Sequence, residues 1–182
     1  MNGLAGAVVW AVVPFAPQAP FRLYAGADHA PIEVEEPGKL VAAAKQGRDA
    51  QFSFIVPGKV RPVLVVSDAH EPVLGELLAL RLVRFGKLEA AEQELIRAQM
   101  SPTHFYLRPD RFGELPEENA AMIAGLVRVH TSAVDRAPLG RLDAQELAVV
   151  HQRFIRHHGL DVRMLVREEL QRLADLKRAR SD

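Results

Sequence analysis

Two short runs of residues have the types and spacing to do chemistry on an anion. In Gly58-Lys59-Val60-Arg61-Pro62-Val63-Leu64-Val65-Val66-Ser67, an arginine and a proline stand at the mouth of an apolar run that reads as a buried strand. A guanidinium fork suits phosphate oxygens, and Pro62 fixes its own φ in what the sequence predicts to be a rigid turn ahead of the strand. Lys59 and Ser67 flank the same run as further phosphate contacts. Arg128 and His130, two apart in the run Met122 to His130, share one face of an extended chain. A cation beside an imidazole offers charge stabilisation with proton transfer near neutral pH. The competing reading is a solvated strand face, or a histidine satisfied by backbone.

Ser67, Thr103, His104, Thr131 and Ser132 are the candidate hydroxyl or proton donors, with His104 peripheral because a turn explains Ser101-Pro102-Thr103-His104 equally well. His151, His157 and His158 read as surface histidines, since adjacent histidines diverge on a helix and no carboxylate stands at ligand spacing. Neither a Gly-rich phosphate loop nor a serine nucleophile elbow is present. Phe52, Phe105 and Tyr106 offer stacking for one or two bases at most.

The elements that must position these groups come from 182 residues, 48% of them hydrophobic. That length can bury a core as one domain with appendages. The 23 basic and 23 acidic residues cancel, so any nucleic-acid surface has to be local. Without cysteine there is no disulfide, thiolate nucleophile or cysteine-ligated metal, which fits a cytoplasmic protein. Leu4 to Phe15 is too short to span a bilayer, lacks a basic flank, and reads as a first strand.

Strands are expected at Val8 to Val13, Phe52 to Val56, Val63 to Val66, Leu77 to Phe85, His104 to Leu107 and Met122 to His130. Such spacing fits a small barrel or sandwich, mainly β with C-terminal helices. An inserted helix is expected over residues 87–100 on Leu88, Ala91, Leu95 and Ile96. Asp143-Ala144-Gln145-Glu146 predicts a capping box, with Leu147, Val150, Phe154 and Ile155 buried and Gly159 as the stop. A second helix, Val162 to Arg180, carries Leu165, Leu170, Leu173 and Leu176. The expected division is a barrel at 1–160 with an inserted loop region at 16–57, followed by a helical extension at 161–182. In the loop region a short helix is expected at Leu40 to Gln46, and an acidic patch, Glu33, Glu35 and Glu36, reads as an imitation of RNA.

Gly6-Ala7-Val8-Val9-Trp10, the Gly58 to Ser67 run, Gly125-Leu126-Val127-Arg128 and Asp135-Arg136-Ala137-Pro138-Leu139-Gly140-Arg141-Leu142 resemble, in order, landmarks of the PemK/MazF toxins. The resemblance implies an SH3-like barrel with a C-terminal helix, homodimeric, that cleaves single-stranded RNA with no metal or other cofactor and is silenced by a cognate antitoxin. It assigns transition-state stabilisation to Arg61 and a catalytic role to Arg128. His130 stands where some members carry an acidic residue, an exchange that preserves acid–base chemistry. The chain departs from the pattern at Val83, where a hydroxyl is expected, and at Phe54-Ile55-Val56-Pro57, where Glu-Gln is missing. Two further readings follow: an inactive barrel serving as a protein-binding module, and a CcdB-like toxin with a protein target.

Overall fold

The computed structural model describes residues 3–16, 18–24, 32–35, 53–67, 75–163, 166–167, 169–172 and 178. The expected helix at Leu40 to Gln46 lies outside them, as do Glu36, Phe52, Leu165, Leu173 and Leu176. The chain divides into two compact bodies, Met1–Ala11 with Pro62–Asp182, and Val12–Arg61.

The architecture is mainly β, a curled half-barrel of six antiparallel strands with helices. These strands are β1 (Ala7–Pro14), β5 (Gly58–Ser67), β6 (Glu76–Arg84), β7 (His104–Leu107), β8 (Asn119–His130) and β9 (Gly140–Arg141), in the order β7-β8-β6-β5-β1-β9. Val63, Leu64 and Val65 are completely buried, as a continuous apolar run in a central strand should be. Edge strand β9 is formed by the Asp135 to Leu142 segment. There Asp135 N donates to the Trp10 carbonyl, Leu139 N to that of Val8 and Leu142 N to that of Gly6. A Cβ at Gly140 would lie 2.5 Å from both the Arg111 carbonyl oxygen and the Phe112 ring, so only glycine fits this close approach.

One face of the sheet is closed by α2 (Ala144–His157). Its start is the expected capping box: Asp143 accepts from Glu146 N at 2.8 Å, and Glu146 accepts from Asp143 N at 3.0 Å. Leu147, Val149, Val150 and Phe154 then pack over Leu64, Leu80 and Ile123. His151 Nε2 lies 2.7 Å from the Val66 carbonyl oxygen, fastening the helix to β5. Beyond Gly159, which takes φ +61°, Arg163, Val166, Arg167, 169–172 and Arg178 are helical, with Val166 and Leu170 exposed. Among the described residues no helix is long and apolar enough to cross a membrane.

The inserted helix is α1 (Ala90–Arg97), shorter than expected because Phe85–Lys87 forms a 3-10 turn and Glu89 is extended. It buries Ile96 against Phe85 and Ala120, whereas Ala91 and Leu95 face water, contrary to the four-residue apolar stripe. The turn is tied by the Gln93 amide, which donates to the carbonyls of Phe85 and Leu88. The helix end is tied by Arg97, which binds both Glu118 carboxylate oxygens, one of which also accepts from the Tyr106 hydroxyl. Val83, where a hydroxyl was expected, packs against this cluster.

In the Val12–Arg61 body, a three-stranded sheet has the order β3-β2-β4, with β2 at Phe21–Tyr24, β3 at Ile32–Val34 and β4 at Ser53–Ile55. Composition concealed the first two of these strands. Arg22 stands opposite Glu33 in the register, and its Nε donates to the carboxylate at 2.8 Å. The Glu33 charge of the acidic patch is thereby committed to a cross-strand pair.

Candidate functional site

Strand register brings polar groups together at one end of the larger body's sheet. In the β6–β8 pair Glu76 is opposite His130 and Leu78 opposite Arg128. Directly opposed residues share a face, so Glu76, Leu78, Arg128 and His130 lie on one surface. The β5–β6 ladder shifts between Val65 and Ser67, and this extra residue sets Ser67 opposite Leu78 and on the same face.

His130 ends β8, where the chain turns into the 3-10 segment Thr131–Ala133. Its imidazole is exposed and held by its own turn. Ser132 N donates to His130 Nδ1 at 3.2 Å, and Ser132 Oγ lies 2.6 Å from the same nitrogen. A backbone N–H can only donate, so Nδ1 of the neutral ring is the acceptor and the ring proton sits on Nε2. Gly75 fits beneath the ring: a Cβ there would come within 2.9 Å of Nε2 and 3.2 Å of Thr131 Oγ1. Its φ of +57° is a second reason for glycine. The turn is closed by Thr131 N donating to the Gly75 carbonyl at 2.7 Å.

Arg128 is 75% exposed, and its only ion pair among the described residues is with Glu76, at 3.6 Å. A surface pair this loose contributes little and leaves the guanidinium able to take another anion. The face therefore presents an exposed imidazole whose Nε2–H lies over Gly75, a serine hydroxyl against Nδ1 and an available cation. That set can bind an anionic oxygen, accept a proton through Ser132 and deliver one from Nε2.

Arg61 and Lys59 are in the Val12–Arg61 body, on β5, flanking one ring. Lys59 Nζ is 5.8 Å and the Arg61 guanidinium carbon 6.0 Å from the centre of Phe15. Two cations on a half-exposed aromatic form a cation–π contact open to an anion. The expected turn at Arg61-Pro62 is absent, since β5 begins at Gly58 and runs through both residues. Pro62 is tolerated there because pairing with β6 begins at Val63.

His104 has a different setting, with a side chain only 11% exposed. Nδ1 is 3.1 Å from Thr103 Oγ1 and 3.5 Å from a Glu92 oxygen, while its backbone N–H donates to Ser101 Oγ. Burial lowers its pKa, with the Glu92 charge opposing. Glu76 and Gly75 escaped sequence reasoning, although a glycine followed by a carboxylate at a strand start was the available signal. His151, read as a surface histidine, is exposed but bonded to β5.

No protein-family model matches the chain, and no curated protein matches it.

Proposed function

We propose that the chain is a PemK/MazF-like endoribonuclease, the toxin of a toxin–antitoxin pair, that cleaves single-stranded RNA by attack of its own 2′-hydroxyl. The observation that carries this reading is the exposed His130 imidazole, pinned at Nδ1 by Ser132 and sharing its face with Arg128. The resemblance adds the remaining expectations: an SH3-like barrel, a cytoplasmic homodimer and control by a cognate antitoxin.

In this mechanism the 2′-hydroxyl gives its proton to Ser132 Oγ as the Ser132 proton passes to His130 Nδ1. The 2′-oxygen forms its bond to phosphorus, and Arg128 neutralises the phosphorane oxygens. The P–O5′ bond breaks as Nε2 delivers its proton to the departing oxygen, leaving a 2′,3′-cyclic phosphate and a 5′-hydroxyl. On this reading Arg61 carries the transition-state stabilisation that the resemblance implies, and Lys59 the substrate binding expected from the sequence.

The test is incubation of mixed-sequence single-stranded RNA with the protein in EDTA, beside Arg61→Ala and Arg128→Ala. Cuts ending in cyclic phosphate, lost in both variants, are the expected result. RNA left intact at high protein concentration refutes the reading. A second reading has its own observation: Leu78 and Leu126, both partly exposed, lie on β6 and β8 beside this polar group. An inactive protein-binding module, or a CcdB-like toxin with a protein target, would use that mixed surface, and intact RNA would favour it.

A further inference from the structure

We propose that a cleft between α2 and β7 in the larger body, remote in role from RNA cleavage, binds a monocarboxylate with an apolar body. The cleft measures about 420 Å³ and is lined by Gln99, Phe105, Arg108, Gln145, Val149 and Arg153, with Glu146 at its edge. That volume is within the range of small-ligand sites.

Arg153 is the reason. Its Nη1 donates to the His104 carbonyl at 2.7 Å and to Gln99 Oε1 at 3.3 Å, and its Nη2 donates to the Gln99 carbonyl at 2.6 Å. All three acceptors are neutral. Among the described residues no carboxylate pairs with it, and burial lowers its pKa with no offsetting charge. Arg97 and Arg111, by contrast, are each bound to carboxylates. A guanidinium drawn partly out of water without a counterion is costly unless something returns the charge. Nε–H and the second Nη2–H donate to no described residue, which leaves a two-pronged donor for one carboxylate.

The donor is preorganised. Gln99 takes φ +58°, a left-handed conformation that non-glycine residues seldom adopt. Arg153 holds both its carbonyl and its side chain, and Gln99 Nε2 donates to the Tyr106 carbonyl at 3.1 Å. The Arg153 guanidinium also lies 5.5 Å from the centre of the Phe105 ring. Charge selects the ligand class: Arg108 is already loosely paired with Glu146 at 3.7 Å and with Asp110 at 3.8 Å, which leaves Arg153 as the lining cation with no carboxylate partner among the described residues. Glu146 is fixed by the capping box and by Arg111, so the second charge of a dianion would face a carboxylate rather than a second unpaired cation. Phe105 and Val149 supply the apolar wall.

The probe is 3-phenylpropionate, titrated into the full chain while NMR follows the Arg153 Nε–Hε signal and the Phe105 amide. Saturable shifts are expected, with none from 3-phenylpropionamide or inorganic phosphate. Arg108→Gln, on the exposed rim, should weaken binding several-fold, and Arg153→Lys, which keeps the charge but loses the fork, by about tenfold or more. A tripeptide ending in phenylalanine with a free carboxylate separates the two sources: tighter binding than the small acid assigns a chain end, and weaker binding assigns a free acid. No saturable shift up to about 20 mM overturns the proposal, as does binding of the amide or phosphate with equal affinity.

Discussion

His130 and His104 both lie at strand ends in the same body, each beside hydroxyl-bearing residues, yet their surroundings are opposite. His104 is surrounded: Thr103 and Glu92 hold its ring, Ser101 holds its N–H, and Arg153 takes its carbonyl. His130 is held at one nitrogen only, by the turn that follows it, and its other nitrogen is presented over a glycine. On the proposed reading, the difference is that His130 has its tautomer fixed by a neighbour without its second nitrogen being bonded by any described residue, the arrangement that acid–base chemistry requires. His104, with both ring and backbone bonded, fastens the fold.

That contrast can be broken at the glycine. Gly75→Val puts a branched side chain at φ +57° against Nε2, and RNA cleavage should fall about a hundredfold, read as kcat in a fluorogenic RNA assay. It can be sharpened at the serine: Ser132→Ala keeps the backbone donor to Nδ1 and removes the relay hydroxyl, so cleavage should fall by about tenfold with an unchanged thermal midpoint. Unchanged kcat would remove Ser132 from the proton path.

On the structural side the changes are smaller and appear in stability. Arg97 and Tyr106 hold the Glu118 carboxyl down at about 2. A depressed carboxylate stabilises the fold above its ordinary value of 4.5, and that contribution is lost as pH falls from there toward 2. Glu118→Gln should therefore lower the thermal midpoint by a few degrees at neutral pH and flatten the acid limb in that window. His104 has the smallest effect. Its lowered pKa means that the unfolded chain takes up the proton more readily, so stability is complete above about 6.5 and declines below it. His104→Gln should remove part of the decline seen by thermal melts between neutral and mildly acid pH.

Much of this arrangement is legible in the residues. The capping box, the strand His104–Leu107 and the pairing of Arg128 with His130 on one face follow from local pattern. What escaped depends on tertiary partners. The exposed side of α1 at Leu95 and the interior position of Arg61 in β5 depend on neighbouring elements rather than on local spacing. Glu76 joins the site only through its register with β8, and β2 and β3 lie in a region whose Pro, Ala and Gly content gives no alternation to read. Arg153 carries no signal in the sequence, because the missing counterion is visible only when its neighbours are in place.

The most direct measurement is metal-free cleavage of one single-stranded RNA by His130→Ala and His104→Ala, side by side with the unaltered chain and with thermal midpoints recorded for all three. Loss of about a hundredfold or more in His130→Ala, with His104→Ala within a few-fold of the parent, is the predicted result. Equal loss in both variants, or full activity in His130→Ala, would contradict it.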